Sequence, residues 1–249
     1  MKRFEGKVAL ITGGSTGIGR VTAQRLAQEG ALVVIGARRK DLGEAAAEEI
    51  RANGDEALFV PADVTLEPDV ARLVETAITT YGRLDLAFNN AGLSYPVGPV
   101  QNLDGATWQR FLDVNLTGVF LSLKHQIPAL LTAGGGAVLN NASILGTVGA
   151  PGMAPYVAAK HAVIGLTRSV ALEVADKGIR VNALVTGKTD TGMADPFRTF
   201  YAANPSALGP TGRLARPEEI ASFAAYLLSD EAGYITGAAL AIDGGTTAR

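Results

Sequence analysis

Short β-branched runs alternate with longer amphipathic segments along the chain, and this alternation constrains the fold more than any other feature. The first three runs are KVALIT at 7–12, ALVVIG at 31–36 and EALFVPA at 56–62, and segments with helical periodicity lie between them at 18–29 and 41–53. Strands separated by helices of this length form βαβ units, in which helices cover both faces of a parallel sheet. The sequence therefore predicts an α/β protein with a doubly wound parallel sheet.

The alternation continues towards the C-terminus, and no Pro/Gly/Ser-rich linker or internal repeat interrupts it. We therefore predict that residues 1–249 form a single domain. Residues 186–216 break the pattern with turn formers and a few aromatic side chains, and because long loops in compact domains are commonly functional, we interpret this segment as a substrate lid. The remaining predicted strands are 84–92, 136–143, 179–185 and 239–243, and the remaining predicted helices are 67–81, 106–132, the segment that contains YVAAK at 156–160, and 217–229.

The composition argues against several classes of function. A net charge of −2 without a basic block gives no electrostatic support for a nucleic acid or an anionic membrane as partner, so we expect a small molecule. The chain has no cysteine and its two histidines form no metal-ligand pattern, so we expect neither a disulfide nor a metal site. The N-terminus has no secretory pattern and no apolar stretch approaches the ~18 residues of a membrane span, which predicts a cytoplasmic protein.

A glycine-rich loop, ITGGSTGIG at 11–19, follows the first predicted strand and opens the first predicted helix. Gly13, Gly17 and Gly19 permit a tight turn, a close approach of backbone N–H groups to a pyrophosphate, and a helix N-terminus aimed at negative charge. An ordinary strand-to-helix turn is the alternative. The position of the loop in a doubly wound pattern favours nucleotide binding, and with it a Rossmann-type sheet.

The pentapeptide YVAAK places Tyr156 and Lys160 at i and i+4, at the start of an apolar helix. In a helix the two side chains share a face, so their polar ends can converge. A phenol is a poor acid or base at neutral pH, but a neighbouring ammonium favours the phenolate and lowers the pKa. The pair therefore predicts a tyrosine that exchanges protons with a substrate.

Several motifs occur together in the order and spacing of one enzyme family. They are TGGSTGIG, Asp63 after the third strand, NNAG at 89–92, Asn115 within DVNLTG, Ser143 thirteen residues before Tyr156, and YVAAK. In this combination the chain resembles the short-chain dehydrogenase/reductase family, and the resemblance extends to YITGAALAIDGG near the C-terminus. It implies a nicotinamide-dependent oxidoreductase that acts on a carbonyl or a secondary alcohol and assembles as a homotetramer.

The resemblance implies catalytic roles for four residues. Tyr156 is the proton donor and acceptor, and Lys160 lowers the pKa of this tyrosine and holds the nicotinamide ribose. Ser143 donates a second hydrogen bond to the reacting oxygen, where negative charge develops. Asn115 holds a water in a proton relay from the lysine to solvent, although an asparagine within a helix otherwise bonds a neighbouring backbone group or faces solvent.

The resemblance also implies a cofactor site along the carboxyl ends of the strands. Asp63 meets the adenine amino group, and it can at the same time be a turn or N-cap residue. The complete set of predicted cofactor-binding residues is Gly13, Ser15, Thr16, Gly17, Ile18, Gly19, Arg38, Arg39, Asp63, Val64, Asn90, Ala91, Gly92, Tyr156, Lys160, Gly187, Thr189 and Thr191.

The segment after the sixth strand departs from the family pattern. Family members usually carry a proline before the glycine that opens the nicotinamide loop, whereas this chain has Thr186 there, Lys188 after Gly187, and Thr189 at an apolar position. Loss of the proline frees φ and restores an N–H donor. The sequence therefore predicts a more mobile nicotinamide loop.

The end of the second strand indicates which nicotinamide is preferred. NAD-selective folds place an acidic residue there, about 20 residues past the glycines, to take the ribose hydroxyls. This chain has Ala37 instead, followed by Arg38 and Arg39. Guanidinium groups bind phosphate through charge-assisted hydrogen bonds, and Ser15 could add a hydroxyl donor. We predict a preference for NADP(H); the alternatives are that both arginines are solvated turn residues, or that NAD(H) is also accepted.

The residues expected near the reacting centre are largely apolar, which predicts an apolar or cyclic ketone or alcohol as substrate, although Arg198 could meet a carboxylate. The main alternative is a 3-oxoacyl-carrier-protein reductase, which the resemblance disfavours because LLTAGGG at 130–136 lacks the basic residues that would meet the carrier. Further alternatives are an NAD-dependent dehydrogenase, a non-catalytic nucleotide-sensing protein, and a sugar epimerase or dehydratase. The expected lining residues are Leu93, Ser94, Tyr95, Ile144, Leu145, Gly146, Met193, Phe197, Phe200 and Tyr201.

Overall fold

A single sheet of seven parallel strands forms the centre of the computed structural model, which describes residues 2–248. The strands are β1 (Val8–Thr12), β2 (Leu32–Ala37), β3 (Ala57–Pro61), β4 (Leu86–Asn89), β5 (Gly136–Asn141), β6 (Ile179–Thr186) and β7 (Ala239–Ile242). Their order is β3-β2-β1-β4-β5-β6-β7, so the direction of winding reverses between β1 and β4. Ligands of such sheets bind outside the carboxyl ends of the strands, at this switch point.

Helices cover both faces of the sheet, which confirms the predicted doubly wound Rossmann-type fold. They are α1 (Gly17–Gln28), α2 (Lys40–Ala52), α3 (Glu67–Tyr81), α4 (Gly105–Leu112), α5 (Gly118–Thr132), α6 (Ala154–Val174), α7 (Arg198–Ala203) and α8 (Pro217–Leu228). Residues of α1, α2 and α8 form one buried core, and residues of α3, α5 and α6 form another on the opposite face. Within β1, Ile11 lies in the first core and Leu10 in the second, because side chains alternate along a strand. None of the helices within residues 2–248 combines the length and the apolar character needed to cross a bilayer.

The predicted helix over 106–132 is wrong in one respect, because it is interrupted. A π-helical turn at Asp113–Thr117 joins α4 to α5, and it contains the fully buried Asn115. Such a turn changes the i→i−4 hydrogen bonding of the helix locally and is frequent at functional sites.

Two predicted strands, 84–92 and 136–143, end earlier than expected. After Asn89 the chain leaves the ladder, and the N–H groups of Asn90 and Ala91 donate to the side chain of Thr12 at 3.1 and 3.2 Å. After Asn141 the chain turns into a short 3₁₀ helix at 144–146. In both cases the residues that follow the strand form part of the candidate site instead of the sheet.

Residues 186–216 contain short helices where the sequence predicts a loop. A 3₁₀ helix at Gly192–Phe197 leads into α7, and a second 3₁₀ helix follows at Pro205–Leu208. A parallel bridge between Thr189 and Ala215 joins the two ends of the segment. Its function as a substrate lid stays a prediction.

Candidate active site

The glycine loop connects β1 to α1 and leaves the start of that helix open. Gly17 has a φ of 55°, in the left-handed region that favours glycine. Thr16 precedes the helix without a side-chain capping hydrogen bond, and no acidic residue lies in the first turn. The first N–H groups of α1 are therefore available to an anion, which the partial positive charge of a helix N-terminus attracts.

The inner surface of this loop has no room for side chains. A Cβ at Gly19 would lie 2.5 Å from both Gly13 O and Asn90 Nδ2. Asn90 Nδ2 in turn donates to Thr12 O and Gly13 O, at 3.2 Å each. The loop is thus held against the NNAG segment, and its backbone fits the pyrophosphate of a dinucleotide.

Two arginines follow the buried Ala37 at the end of β2. The Nη2 atom of Arg39 donates to Thr16 Oγ1 at 3.0 Å, so this guanidinium lies beside the glycine loop. The Arg38 side chain is 62% exposed, with Nη1 3.8 Å from Asp63 Oδ2. Among residues 2–248 no carboxylate is hydrogen-bonded to either guanidinium, so both groups can receive a phosphate.

Asp63 closes a turn ahead of α3. Its Oδ1 accepts hydrogen bonds from the Thr65 N–H at 3.0 Å and from the Thr65 hydroxyl at 2.8 Å. The turn adjoins a surface pocket of about 390 Å³. The pocket is lined by Arg38, Asp63, Thr65, Ala106, Gln109, Arg110, Asp113 and Val114. Sequence reasoning missed Arg110, which lies in α4, far along the chain from the other arginine of the pocket.

Tyr156 and Lys160 lie one turn apart near the start of α6, as YVAAK predicts. Both side chains are buried, with exposed fractions of 8% and 3%. Lys160 Nζ lies 5.6 Å from the centre of the Tyr156 ring and donates to Asn141 O at 2.7 Å. The ammonium is therefore held at the end of β5, beside the phenol.

Burial moves the pKa of each group away from its usual value. It raises the pKa of Tyr156 to about 12, while the neighbouring Ser143 hydroxyl opposes the rise through a hydrogen bond. Burial lowers the pKa of Lys160 to about 8. The resemblance predicts that Lys160 lowers the tyrosine pKa, but in this structure the loss of solvation dominates. The pair is a protonated phenol beside a lysine that titrates close to neutral pH.

Ser143 and Asn115 approach the pair from two other elements. Ser143 follows β5, and its Oγ accepts a hydrogen bond from the Leu145 N–H at 3.1 Å. Asn115, in the π-turn, accepts the Leu93 N–H at Oδ1 and donates from Nδ2 to Leu93 O and Phe111 O, all at 3.1 Å. Its side chain therefore fixes the segment that follows β4.

Gly92 lies between two of the predicted catalytic residues. A Cβ at this position would be 3.0 Å from Asn115 Oδ1 and 3.9 Å from Lys160 Nζ. The structure thus brings Asn115, Ser143, Tyr156 and Lys160 to one place at the carboxyl edge of the sheet. A proton relay through Asn115 stays a prediction.

The segment after β6 lies against the glycine loop, because a Cβ at Gly17 would be 3.1 Å from Thr191 Cγ2. Thr186 Oγ1 donates to Asn141 Oδ1 at 3.2 Å, and the Gly187 N–H donates to β7 at 2.9 Å. Hydrogen bonds therefore constrain this segment where the family proline is missing. Among the other predicted cofactor residues, Ser15 in the glycine loop, Thr189 in this segment and Val64 in the turn after β3 are buried. Ile18, in the first turn of α1, is partly buried against the core.

Apolar side chains form a cluster around the Tyr156 ring. Phe111 and Met153 are its other buried members, and the Tyr95 ring packs edge-on against Phe111 with centroids 4.8 Å apart. Of the lining residues predicted from the sequence, those that pack against this cluster are Leu93, Tyr95, Leu145 and Phe197. One wall of the site is therefore apolar and aromatic.

Other predicted lining residues lie elsewhere. Ile144 belongs to the core on the α6 face, and a Cβ at Gly146 would be 2.8 Å from Lys160 O, so neither position contributes a side chain to the wall. Met193 and Phe200 are 44% and 55% exposed. The sequence pattern does not distinguish these positions because it does not fix the direction of side chains in short helical segments.

Arg198, the predicted partner for a substrate carboxylate, is already paired. Its guanidinium donates to Asp190 and to Asp195 at 2.7 Å each. Within residues 2–248, no three His, Asp or Glu side chains come together as metal ligands.

The fold and the glycine loop indicate a nicotinamide-dependent oxidoreductase, and comparison with known proteins gives the family. Residues 13–247 match the family described as enoyl-(acyl carrier protein) reductase. The chain is 44% identical to the cyclohexanol dehydrogenase of Acinetobacter sp. (strain SE19) over 247 residues, which cover 99% of this chain and 97% of the relative. It is 45% identical to the cis-4-hydroxycyclohexanecarboxylate dehydrogenase of Sinomonas cyclohexanicum over 248 residues, 98% of each chain. The chain therefore belongs to the short-chain dehydrogenase/reductase family.

Solved structures share the whole fold. A variant of actinorhodin polyketide ketoreductase, determined with NADPH, has a TM-score of 0.92 and 36% identity, and the match covers 96% of this chain and 97% of that chain. The 3-ketoacyl-(acyl-carrier-protein) reductase of Brucella melitensis, determined with NADH, has a TM-score of 0.90 and 38% identity, and the match covers 98% and 99%. The protein is thus an oxidoreductase of the alcohol and carbonyl class. Because the two complexes differ in cofactor, the choice of nicotinamide has to be argued from this chain.

Proposed function

We propose that this enzyme interconverts an apolar cyclic ketone and its secondary alcohol with NADP(H), using Tyr156 as the general acid and base. The observation that carries the proposal is the place of the Tyr156 phenol, which is buried beside Ser143 and Lys160 at the edge of an apolar cluster. A positioned general acid of this kind accelerates a reaction by about 10²- to 10⁴-fold.

Two side chains act on the oxygen at which charge develops, and a third acts through the tyrosine. A bound nicotinamide supplies the hydride in reduction and accepts it in oxidation. The Tyr156 hydroxyl gives its proton to the carbonyl oxygen in reduction and takes a proton from the alcohol in oxidation. Ser143 donates a hydrogen bond to the same oxygen, and the Lys160 ammonium stabilises the phenolate form of the tyrosine.

Residues along the strand ends would hold the cofactor. The backbone of 13–19 and the open start of α1 suit the pyrophosphate, and Arg38 and Arg39 suit the additional phosphate of NADP(H). One hydrogen bond to a charged group contributes about 1.5–3 kcal/mol, so the preference in kcat/KM should be at least about tenfold. We therefore expect Arg38→Ala to raise KM for NADPH much more than for NADH, and Ala37→Asp to reverse the preference. Equal or better use of NADH by the wild-type enzyme would contradict the assignment.

An apolar cyclic substrate is supported by two independent observations. The wall around Tyr156 is apolar and aromatic, and Arg198 is paired with two carboxylates rather than free for an acidic substrate. Both relatives described above are named for alcohols on a cyclohexane ring, which supports a cyclic substrate. The alcohol that names the second relative also bears a carboxylate, so the apolar character of the substrate rests on the wall and on Arg198 alone. A 3-oxoacyl-carrier-protein reductase is the second candidate, because a solved reductase of that kind is 38% identical.

A substrate panel tests the proposal directly. We expect turnover of cyclohexanone with NADPH and of cyclohexanol with NADP⁺, followed by nicotinamide absorbance, with kcat/KM well above that for an acetoacetyl thioester. Tyr156→Phe provides the background rate. A higher kcat/KM for the thioester would favour the second candidate, and no turnover of any ketone or alcohol would refute the proposal.

We also propose that the enzyme is a cytoplasmic homotetramer with a single domain, in which residues 186–216 close over the substrate. Assembly is supported by the partly exposed edge strand β7 and by two apolar side chains on the helical surface, Phe120 at 48% exposure and Leu172 at 84%. Light scattering at working concentration should give the mass of a tetramer, and a monodisperse monomer would contradict it.

A further inference from the structure

Asn141, the last residue of β5, makes side-chain hydrogen bonds on both of its flanks. On one side its Oδ1 accepts from Thr186 Oγ1 at 3.2 Å, and on the other its Nδ2 donates to Asn90 Oδ1 at 2.9 Å. Asn141 and Thr186 are the last residues of β5 and β6, and Asn90 directly follows β4. One amide therefore links the segments that leave three neighbouring strands.

This link reaches the glycine loop. Asn90 Nδ2 donates to Thr12 O and Gly13 O, so an unbroken series of hydrogen bonds runs from Thr186 through Asn141 and Asn90 to the start of the loop. The backbone of Asn141 adds a branch, because its carbonyl accepts from Lys160 Nζ at 2.7 Å. The same residue thus contacts Thr186 and the lysine beside the phenol directly, and it is linked to the glycine loop through Asn90.

We propose that Asn141 is a positioning residue, which acts through Asn90 on the glycine loop, through Thr186 on the nicotinamide segment and through its carbonyl on Lys160. The inference rests on the proposed function. An apolar side chain at this position would leave Asn90 Oδ1 without its donor and the buried Thr186 hydroxyl without its acceptor. Unpaired buried groups are unfavourable, so both loops would move to regain partners and the carbonyl under Lys160 would move with them.

Asn141→Leu is the main variant, and Asn182→Leu is its matched control. Asn182 is a strand asparagine that likewise makes two side-chain hydrogen bonds, from Nδ2 to Ile235 O at 2.7 Å and from the Ala238 N–H to Oδ1 at 3.1 Å. It is buried, whereas Asn141 is half-buried, and it faces the segment before β7 and touches neither loop. Both substitutions remove an amide of the same size from the same sheet. They differ in whether the cofactor loops lose a contact and in burial, which is greater at Asn182. Because the more buried amide is lost in the control, an effect on cofactor binding confined to Asn141→Leu is not explained by lost stability.

Three measurements separate positioning from general stability. We expect Asn141→Leu to raise the Kd for NADPH, measured by calorimetry, by about tenfold and to lower kcat by about tenfold, and to speed amide exchange in residues 13–19 of the protein without added cofactor. Asn182→Leu should lower the denaturation midpoint while its Kd and its exchange at 13–19 stay within about twofold of wild type. Equal effects of the two variants would overturn the inference.

Thr186 provides a second route, which decides the question if Asn141→Leu does not fold. Thr186→Val removes the hydroxyl at constant shape and should raise the Kd for NADPH by about threefold to tenfold, whereas Thr186→Ser keeps the donor and should stay near wild type. In the double variant, Thr186→Val should add little to Asn141→Leu, because one acts through the other. Full additivity, or a wild-type Kd in Thr186→Val, would overturn it.

These readouts also distinguish the inference from the proposed function. If wild-type protein turns over no ketone or alcohol, the proposed function fails. The exchange rates at 13–19 would still show whether Asn141 orders the loop, because they need neither substrate nor cofactor.

Discussion

Replacing Lys160 by methionine should remove a pH-dependent part of the stability of this protein. Burial lowers the pKa of Lys160 from its usual 10.5 to about 8. Between these two values the unfolded chain still holds the proton, whereas the native protein has released it. Stability therefore rises with pH across this window and is lost as the pH falls through about 8.

The magnitude follows from the difference in pKa. The full interval from 10.5 to about 8 corresponds to about 3 kcal/mol, at about 1.36 kcal/mol per pKa unit. Between about pH 7.5 and 9.5, titration of a group with these two pKa values raises the free energy of unfolding by about 2 kcal/mol. The hydrogen bond from Lys160 Nζ to Asn141 O favours the charged form and reduces the gain, so we expect about 1–2 kcal/mol.

Urea unfolding of wild type and Lys160→Met, at several values of pH and one protein concentration, measures this term. Loss of the hydrogen bond to Asn141 changes the difference in unfolding free energy between the two proteins by a constant amount. Only the pH dependence of that difference therefore reports the titration of Lys160. The stability advantage of Lys160→Met should shrink by about 1–2 kcal/mol as the pH rises from about 7.5 to 9.5. Lys177→Met, at a half-exposed lysine, controls for the loss of one lysine from the chain. A difference that stays flat within about 0.5 kcal/mol would refute the account of Lys160 as a buried, destabilising charge.

Three further variants test other parts of the site. Tyr156→Phe should lower kcat by about 10²- to 10⁴-fold while the calorimetric Kd for the cofactor is kept; a variant with more than about a third of wild-type kcat, where chemistry limits the rate, would exclude Tyr156 as the proton carrier. The double variant Asp190→Asn with Asp195→Asn should free the Arg198 guanidinium from its two carboxylate partners. The ratio of kcat/KM for a carboxylated cyclohexanol to that for cyclohexanol should then rise by about threefold. An unchanged ratio would show that Arg198 does not bind a substrate carboxylate once it is released. Thr186→Pro should lower the free energy of unfolding by about 1 kcal/mol, because loss of the hydrogen bond from Thr186 to Asn141 outweighs the entropic gain from proline. A higher free energy of unfolding in urea would show that this hydrogen bond contributes little.

The elements that the sequence predicted well are those with long, regular patterns. YVAAK was predicted at the start of an apolar helix, where α6 has it, and the predicted helix at 67–81 agrees with α3 at both ends. Their apolar residues are spaced so that only one face of each helix can pack against the parallel sheet. The π-turn at Asp113–Thr117 was not predicted, because a single wide turn leaves almost the same pattern of apolar residues as a continuous α-helix.

The candidate site was predicted by residue identity but not by its contacts. The positions of Tyr156 and Lys160 follow from local spacing, whereas the bond between Thr186 and Asn141 joins residues 45 positions apart. It exists only because β5 and β6 pair with Asn141 opposite Leu184, which brings the two strand ends side by side. Strand register of this kind is set by the packed core, so no local pattern revealed it. The missing proline at Thr186 was the one available signal, and it was interpreted as mobility rather than as a substituted hydrogen bond.

The distribution of these contacts separates two functions within the site. Across the carboxyl edge of the sheet, strand ends are cross-linked side by side, from Thr186 through Asn141 and Asn90 to the glycine loop. In residues 192–208, by contrast, Phe200 is 55% exposed and its ring packs edge-on against the neighbouring tyrosine of the same segment. Local stability is low where buried contacts are few, so this segment can change shape or sequence without disturbing the cross-linked edge. Under the proposed function, cofactor binding and substrate choice belong to different parts of one fold, which is consistent with relatives of similar sequence that have different named substrates.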